Sequence, residues 1–267
     1  MEYRFLKKSR IHIIAIAMVV LIAACHSSNT RRTEASLKNE DFVMLYAGAS
    51  LSNVLNEIID AYQKRYGVRV QTNFASSGTL ARQIKQVEAP DVFVSASKKW
   101  ADYVDSLGVV QPGYTSIVAS NRLVLIAPLN STIKTSHIDS SLNILEALGE
   151  GRLAMGDPSH VPAGKYAKQA LSYYGWYGEL INHILPAKDV RSALMVVELG
   201  EAPLGVVYLT DAIESAKVKI VGAFPLVSHE PILFVASVCN DRPKAKEFYA
   251  FMQSEMCKPI WDRHGFK

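Results

Sequence analysis

Small and hydroxyl residues recur at four points of this chain where a predicted helix begins. The four segments are Ala47-Gly48-Ala49-Ser50, Ala75-Ser76-Ser77-Gly78-Thr79, Pro162-Ala163-Gly164 and Asp189-Val190. The first N–H groups of a helix have no partner within it, and the helix dipole adds positive potential there, so several such starts together can hold an anion. Taken singly, each segment is more typical of an ordinary helix start, in which Ser50, Ser77 or Asp189 is the N-cap.

Strands and helices alternate around these segments. Apolar or alternating runs predict strands at residues 42–46, 68–74, 91–95, 123–127, 153–155, 204–208 and 232–238. Amphipathic spacing predicts helices over residues 51–62, 80–87, 166–174 and 190–199, and another that begins at Pro243. This order predicts α/β units with a largely parallel sheet. Ligands bind such sheets at the edge where strands end and helices begin, so the four segments can meet there.

The N-terminal residues have the pattern of an export signal. Four basic residues precede an apolar run at 11–24, which is short for a bilayer span and ends at Cys25. Ile22-Ala23-Ala24-Cys25 resembles the lipobox of bacterial lipoproteins; the alternative is an uncleaved anchor with a chance cysteine. We expect residues 1–24 to be a lipoprotein signal peptide and residues 25–40 a flexible tether, with lipid on Cys25. The protein is then exported and anchored in the periplasm or at the cell surface.

Charge and cysteine content further limit the classes of function that the sequence allows. The 29 basic and 25 acidic residues of the whole chain become 25 and 24 beyond residue 24, a balance that argues against nucleic-acid binding. Cys239 and Cys257 are compatible with a disulfide or with two buried free thiols. Neither cysteine stands at metal-ligand spacing from a histidine or a second cysteine.

Six longer stretches of the sequence together resemble those of one protein family. AGASLSNVLNEI, NFASSGTLARQI, APDVFVSASKKW, GRLAMGDPSHVPAGKYAKQAL, DVRSALMVVELGEAPLGVVY and the ending RHGF follow one another between about Phe42 and Phe266. They resemble the periplasmic molybdate-binding proteins of molybdate ABC transporters. The resemblance implies a type II periplasmic binding protein with two lobes, each a mixed, mainly parallel sheet flanked by helices, and a ligand cleft between them. We expect lobe 1 at residues 41–121 plus 224–267, and lobe 2 at residues 122–223.

The resemblance also implies which groups hold the oxyanion. In that family two serine hydroxyls, two backbone N–H groups and a tyrosine hydroxyl bind it without a cationic side chain, and the matching positions here are Ser50, Ser77, Ala163, Val190 and Tyr208. The protein is then expected to reach the metal atom of molybdate only through its oxygens, with no direct metal ligand and no cofactor. Gly78 replaces a serine of related versions, and we expect it to loosen the loop or to bring the backbone nearer the anion.

The expected function is high-affinity binding of molybdate or tungstate outside the cytoplasm, without catalysis, by a monomer that serves the permease and ATPase of an ABC importer. Donors alone favour a fully deprotonated anion over hydrogen phosphate, so sulfate or another tetrahedral oxyanion is the alternative ligand. A serine hydrolase is the alternative of another class, because Gly48-Ala49-Ser50 begins like a G-x-S-x-G turn. Ser52 stands where the second glycine belongs, and no motif places a histidine to activate Ser50.

Overall fold

The computed structural model describes residues 42–267, so the predicted signal peptide, Cys25 and the tether lie outside the described residues. The strands of this range are β1 (Phe42–Gly48), β2 (Arg69–Ala75), β3 (Val92–Ser95), β4 (Thr115–Asn121), β5 (Leu123–Pro128), β6 (Leu153–Gly156), β7 (Ile184–Ala187), β8 (Leu204–Tyr208), β9 (Val218–Ala223) and β10 (Ile232–Val238). They form two five-stranded sheets.

The helices of the described range surround these sheets. They are α1 (Ser52–Tyr66), α2 (Ser77–Gln86), α3 (Lys98–Ser106), α4 (Ile144–Leu148), α5 (Pro162–Tyr173), α6 (Trp176–Leu180), α7 (Val190–Glu198), α8 (Leu209–Ile213), α9 (Pro243–Met252) and α10 (Lys258–Arg263). Short 3-10 turns cover Ala49–Leu51, Ile181–His183 and Leu226–Ser228. Among the described helices, we find none with the length and apolar character needed to cross a membrane.

The two sheets are mixed, as the sequence predicts, and each is the centre of one lobe. Lobe 1 contains the strand order β2-β1-β3-β10-β4 and lobe 2 the order β7-β6-β8-β5-β9. Strand β1 runs parallel to β3, and β6 runs parallel to both β7 and β8. Strands β10 and β5 pair antiparallel with their neighbours. The chain crosses between the sheets after β4 and again before β10, and the exact lobe boundaries stay a prediction.

Helix α1 illustrates why the predicted elements form. Its apolar face buries Val54, Leu55, Ile58, Ile59 and Tyr62 against the sheet of lobe 1. The helix ends where Gly67 adopts a left-handed conformation, with φ at 69°, and donates its N–H to the carbonyl of Gln63 at 2.9 Å. A glycine at this point is the usual helix C-cap because it has no side chain to oppose positive φ.

Three strands that the sequence pattern did not predict lie at sheet edges. Strands β4, β7 and β9 each have a strand neighbour on one side only. The pattern predicted two successive helices between β6 and β8, and this order is wrong because β7 lies between α6 and α7. Strand β7 has four residues, of which Pro186 is one, and only Ile184 is buried. Its four residues are apolar, but so short a run that contains proline does not identify a strand from the pattern.

Both cysteines beyond the tether are free thiols. Cys239 and Cys257 are buried, and no disulfide joins them in the described chain. Burial raises the pKa of the Cys239 thiol to about 12, so this thiol stays protonated at neutral pH. Of the two alternatives that the sequence left open, the structure has the buried thiols.

Asp91 joins three segments of lobe 1. This residue is 1% exposed, and it precedes β3 directly. Its carboxylate accepts the N–H of Met44 at 2.7 Å and the side-chain amide of Asn240 at 2.6 Å. The guanidinium of Arg242 donates to the same carboxylate at 2.9 Å. The start of β3 is therefore held to β1 and to the segment after β10.

Replacing Asp91 with alanine is expected to lower the free energy of unfolding by about 3 kcal/mol, because it removes the acceptor of an ion pair and two hydrogen bonds. Urea denaturation followed by circular dichroism measures this loss. Asp105→Ala changes an exposed carboxylate of α3 and serves as the control, with an expected change within about 0.5 kcal/mol. Equal stability of the two variants would contradict the role assigned to Asp91.

Candidate functional site

One cavity between the lobes receives all four helix starts that the sequence singled out. The residues that line it are Gly48, Ala49, Ser50, Ala75, Ser76, Ser77, Ala96, Val161, Pro162, Ala163, Asp189, Val190 and Tyr208. The five predicted ligand positions are thus brought together, Ser50 and Ser77 from lobe 1 and the other three from lobe 2. The cavity is small, with a free volume of about 10 Å³. It is too small for a sugar or a peptide.

Ser50 contributes a buried hydroxyl to the cavity. It lies in the 3-10 turn between β1 and α1 and is 2% exposed. Its Oγ has no hydrogen-bond partner among the described residues. Neither that turn nor α1 has a side-chain cap, so the N-cap alternative is wrong for Ser50. A buried hydroxyl without a partner is costly, which points to a bound ligand.

Ser77 is oriented by a hydrogen bond from a distant residue. The N-cap of α2 is the preceding Ser76, whose Oγ accepts the N–H of Thr79 at 3.2 Å, so the cap alternative is wrong for Ser77 as well. The fully buried Ser77 Oγ accepts the N–H of Ala96 at 2.9 Å. Because this bond occupies a lone pair of the oxygen, the hydroxyl hydrogen remains available for donation into the cavity.

The lobe 2 helix starts are held by tight packing and by a cap. Helix α5 begins at Pro162, and Ala163 is its second residue. The next residue is Gly164, where a Cβ atom would lie 1.9 Å from the carbonyl oxygen of Gly156. Only glycine lets α5 approach the end of β6 this closely. Asp189 is the N-cap of α7, because its Oδ1 accepts the N–H of Ser192 at 2.7 Å. The cap alternative is therefore right for Asp189, and it leaves Val190 as the first residue of α7.

Tyr208 contributes a hydroxyl to the cavity from lobe 2. It ends β8, is 1% exposed, and its oxygen has no hydrogen-bond partner within residues 42–267. Burial raises the pKa of this phenol well above its ordinary value, and the nearby Tyr166 and Asp211 raise it further. Tyr208 therefore keeps its proton at neutral pH and can act as a donor.

Comparison with known proteins identifies the family. The family model of the bacterial extracellular solute-binding proteins matches residues 43–267. The chain belongs to this family. It is 41% identical to the molybdate-binding protein ModA of Escherichia coli over 233 residues, which cover 86% of this chain and 91% of that protein.

Two further relatives agree with this assignment. YvgL of Bacillus subtilis, provisionally named an ABC transporter substrate-binding lipoprotein, is 35% identical over 265 residues, 97% of this chain and 98% of that protein. The structure of the periplasmic molybdate-binding protein of Azotobacter vinelandii matches with a TM-score of 0.74 at 25% identity, covering 84% of this chain and 98% of that chain. These matches also support the two-lobed binding-protein fold.

The lobes of this solute-binding protein touch at Gly78. Its N–H donates to the carbonyl oxygen of His160, in lobe 2, at 3.1 Å. A Cβ atom on Gly78 would lie 2.4 Å from that oxygen and 2.6 Å from the ring of Trp100. The absence of a side chain at Gly78 therefore permits a direct contact between the lobes. Whether Gly78 also loosens its loop or brings the backbone nearer the anion stays a prediction. Asp157 orients the His160 loop by accepting the N–H of Ser159 at 2.8 Å.

Sequence reasoning missed Ala96 as a member of the site. This residue follows the buried strand β3 directly and supplies the N–H that orients Ser77. Its methyl side chain carries no chemical signal, so residue type alone does not reveal it. The one available signal is its position, because it stands just after a predicted strand, as Ala49 and Ser76 do.

Gly78→Ala is expected to hold the lobes apart, because the added methyl group collides with the His160 carbonyl and the Trp100 ring. The variant loses an interlobe hydrogen bond worth about 1 kcal/mol. Small-angle X-ray scattering is expected to show a larger radius of gyration than for the unmodified protein. Gly178→Ala is the matched control, because a Cβ atom there has no neighbour within 4 Å. Identical scattering from all three proteins would show that Gly78 does not govern closure.

Proposed function

We propose that this protein binds molybdate or tungstate with high affinity outside the cytoplasm and delivers it to an ABC importer. The observation that carries the proposal is the set of hydroxyls in one small cavity, where Ser50 and Tyr208 are buried without a partner among the described residues. The molybdate-binding relatives support the same ligand class. In the proposed complex Ser50, Ser77 and Tyr208 donate through hydroxyls, and Ala163 and Val190 donate through backbone N–H groups.

The chemistry of the cavity suits a doubly charged oxyanion. None of the described residues that line it is basic, so an anion there interacts with dipoles and not with a full positive charge. Hydrogen bonds from neutral donors to a charged acceptor are each worth about 1.5–3 kcal/mol, and five of them hold a dianion that can still be released. Asp189 also lines the cavity, and its Oδ1 accepts the N–H of Ser192 within α7. Because all five proposed contacts are donors, fully deprotonated oxyanions are favoured over hydrogen phosphate.

We further propose where this protein is located and which proteins it serves. We infer that Cys25 carries lipid after removal of residues 1–24, and that the tether at residues 25–40 leaves a monomeric receptor in the periplasm or at the cell surface. The relative YvgL, named a lipoprotein, supports the anchor. The permease and ATPase of an ABC importer are the proposed partners. No cofactor is needed, because the oxygens of the ligand make every contact with the protein.

We also infer that the cavity is not catalytic. A hydrolase that used Ser50 needs a base to remove its proton, and the described residues that line the cavity include no histidine. Asp189, the acidic residue among them, caps α7. Ser50 therefore acts in this proposal as a hydrogen-bond donor, not as a nucleophile.

Isothermal titration calorimetry with molybdate, tungstate, sulfate and phosphate tests the ligand. We expect tight binding of molybdate and tungstate, weaker binding of sulfate because its oxygens lie closer together, and no binding of phosphate near neutral pH. Absence of heat with both molybdate and tungstate refutes the proposed ligand. Tight binding of sulfate alone would identify the alternative receptor.

Tyr208→Phe and Ser50→Ala are each expected to weaken molybdate binding roughly ten- to hundredfold, because each removes one hydrogen bond to a charged ligand. The same titration measures the loss, and thermal unfolding verifies the fold. Tyr173→Phe is the matched control, since Tyr173 is 55% exposed and distant from the lining residues. Unchanged affinity in both site variants would remove these residues from the proposed donor set.

A further inference from the structure

Arg191 and Asp211 form an ion pair next to two of the proposed donors. Arg191 follows Val190 in α7, and Asp211 lies in α8, the helix whose N-cap is Tyr208. The Nε atom of Arg191 is 2.8 Å from Oδ1 of Asp211. The Asp211 side chain is fully buried, whereas that of Arg191 is 25% exposed. One ion pair therefore joins the element that carries the Val190 donor to the element that carries the Tyr208 donor.

A fully buried carboxylate is costly to the fold. Burial raises the pKa of Asp211 to about 6, against the opposing influence of Arg191 and of the Tyr208 backbone. Two other acidic groups, Asp189 and Glu214, raise it further. An apolar residue in place of such a pair is often neutral or even stabilising in proteins. The pair is thus poorly explained by stability alone.

The charges around Asp211 show what Arg191 balances. Asp189 caps α7 and lines the cavity. Glu214, at the end of α8, accepts from the side-chain amide of Asn53 at 2.7 Å and lies 2.6 Å from Nδ1 of His264. Arg191 is the basic group whose attraction lowers the pKa of Asp211. The Asp211 carboxylate in turn raises the pKa of the Tyr208 phenol, which lines the cavity. Without Arg191, we expect this carboxylate to repel an anion there.

We propose that the Arg191–Asp211 pair positions the Val190 and Tyr208 donors and balances the charge beside the bound oxyanion. This inference rests on the proposed function. Arg191 is in this view a positioning residue. It adjoins the Val190 donor in sequence, but its guanidinium lies against the Asp211 carboxylate. Arg191 is also absent from the described lining of the cavity. The oxyanion then meets dipoles alone and avoids a strong ion pair that slows its release.

The test compares Arg191→Met, Asp211→Asn and the double variant with the unmodified protein, in molybdate titrations from about pH 7 to pH 9. In Arg191→Met we expect the pKa of Asp211 to rise above about 6, so that this carboxyl ionises as the pH rises and then repels the dianion. We expect its affinity to fall about tenfold as the pH rises. The unmodified protein and the double variant are expected to change less than about threefold, because one keeps the pair and the other has no carboxylate.

Asp211→Asn leaves the charge of Arg191 uncompensated. We expect its affinity for molybdate to fall more steeply with added sodium chloride than that of the unmodified protein, because a full charge is screened more than dipoles are. Arg191→Lys retains the positive charge and is expected to keep the flat pH profile, whatever its affinity at one pH. This comparison with Arg191→Met still decides the question if Asp211→Asn does not fold by circular dichroism.

Two results would overturn the inference. One is a molybdate affinity of Arg191→Met that depends on pH no more than the affinity of the double variant does. The unbalanced Asp211 carboxylate would then have no influence on the anion. The other is an equal loss of affinity in all variants with unchanged salt dependence, which a purely structural pair produces. Failure of the unmodified protein to bind any oxyanion contradicts the proposed function instead, so the two failures are distinguishable.

Discussion

A buried hydroxyl must find a hydrogen-bond partner or the fold loses about 1–3 kcal/mol, and this constraint acts twice in one cavity here. The oxygens of Ser50 and Tyr208 are buried without a partner among the described residues, and they approach from different lobes. The surrounding structure keeps such donors pointed inward. Ala96 occupies a lone pair of Ser77, and Asp189 caps α7 so that Val190 begins it. In the proposed complex, acceptor oxygens of the ligand bind these donors.

The two-lobed architecture places residues of both lobes around one cavity. Strand ends and helix starts converge at one edge of a sheet, so a single sheet surrounds a ligand from one side only. Two sheets that face each other supply donors from opposite sides, and the chain joins them at two crossings. Contacts that span the lobes then belong to the site as much as the donors do. The Gly78 N–H on the His160 carbonyl is one, and the link from Asn53 to Glu214 is another.

Central strands and long helices were predictable because their buried positions require apolar residues, either in a continuous run or at regular spacing. Strands β5, β8 and β10 and helix α1 appear in the sequence as apolar runs or as one apolar face. Strand β4 was not predictable, because it lies at a sheet edge where Thr115 and Ile117 face solvent and polar side chains are tolerated. Strand β9 also lies at an edge, and only two of its six residues are buried. The short helices α6 and α8 have five residues each, too few to establish a periodicity.

The sequence by itself determined which residue types stand at each helix start, and therefore that uncharged donors predominate there. It could not decide which of two adjacent serines caps α2 and which keeps its hydroxyl hydrogen for the cavity, because Ser76 and Ser77 have the same chemistry. The tertiary structure decided this through Ala96, nineteen residues further along the chain, whose N–H bonds to Ser77. The pairing of Arg191 with Asp211 was equally invisible, since it depends on how α7 and α8 pack. Such contacts form only when distant segments of the chain pack together, so the pattern of neighbouring residues in the sequence does not reveal them.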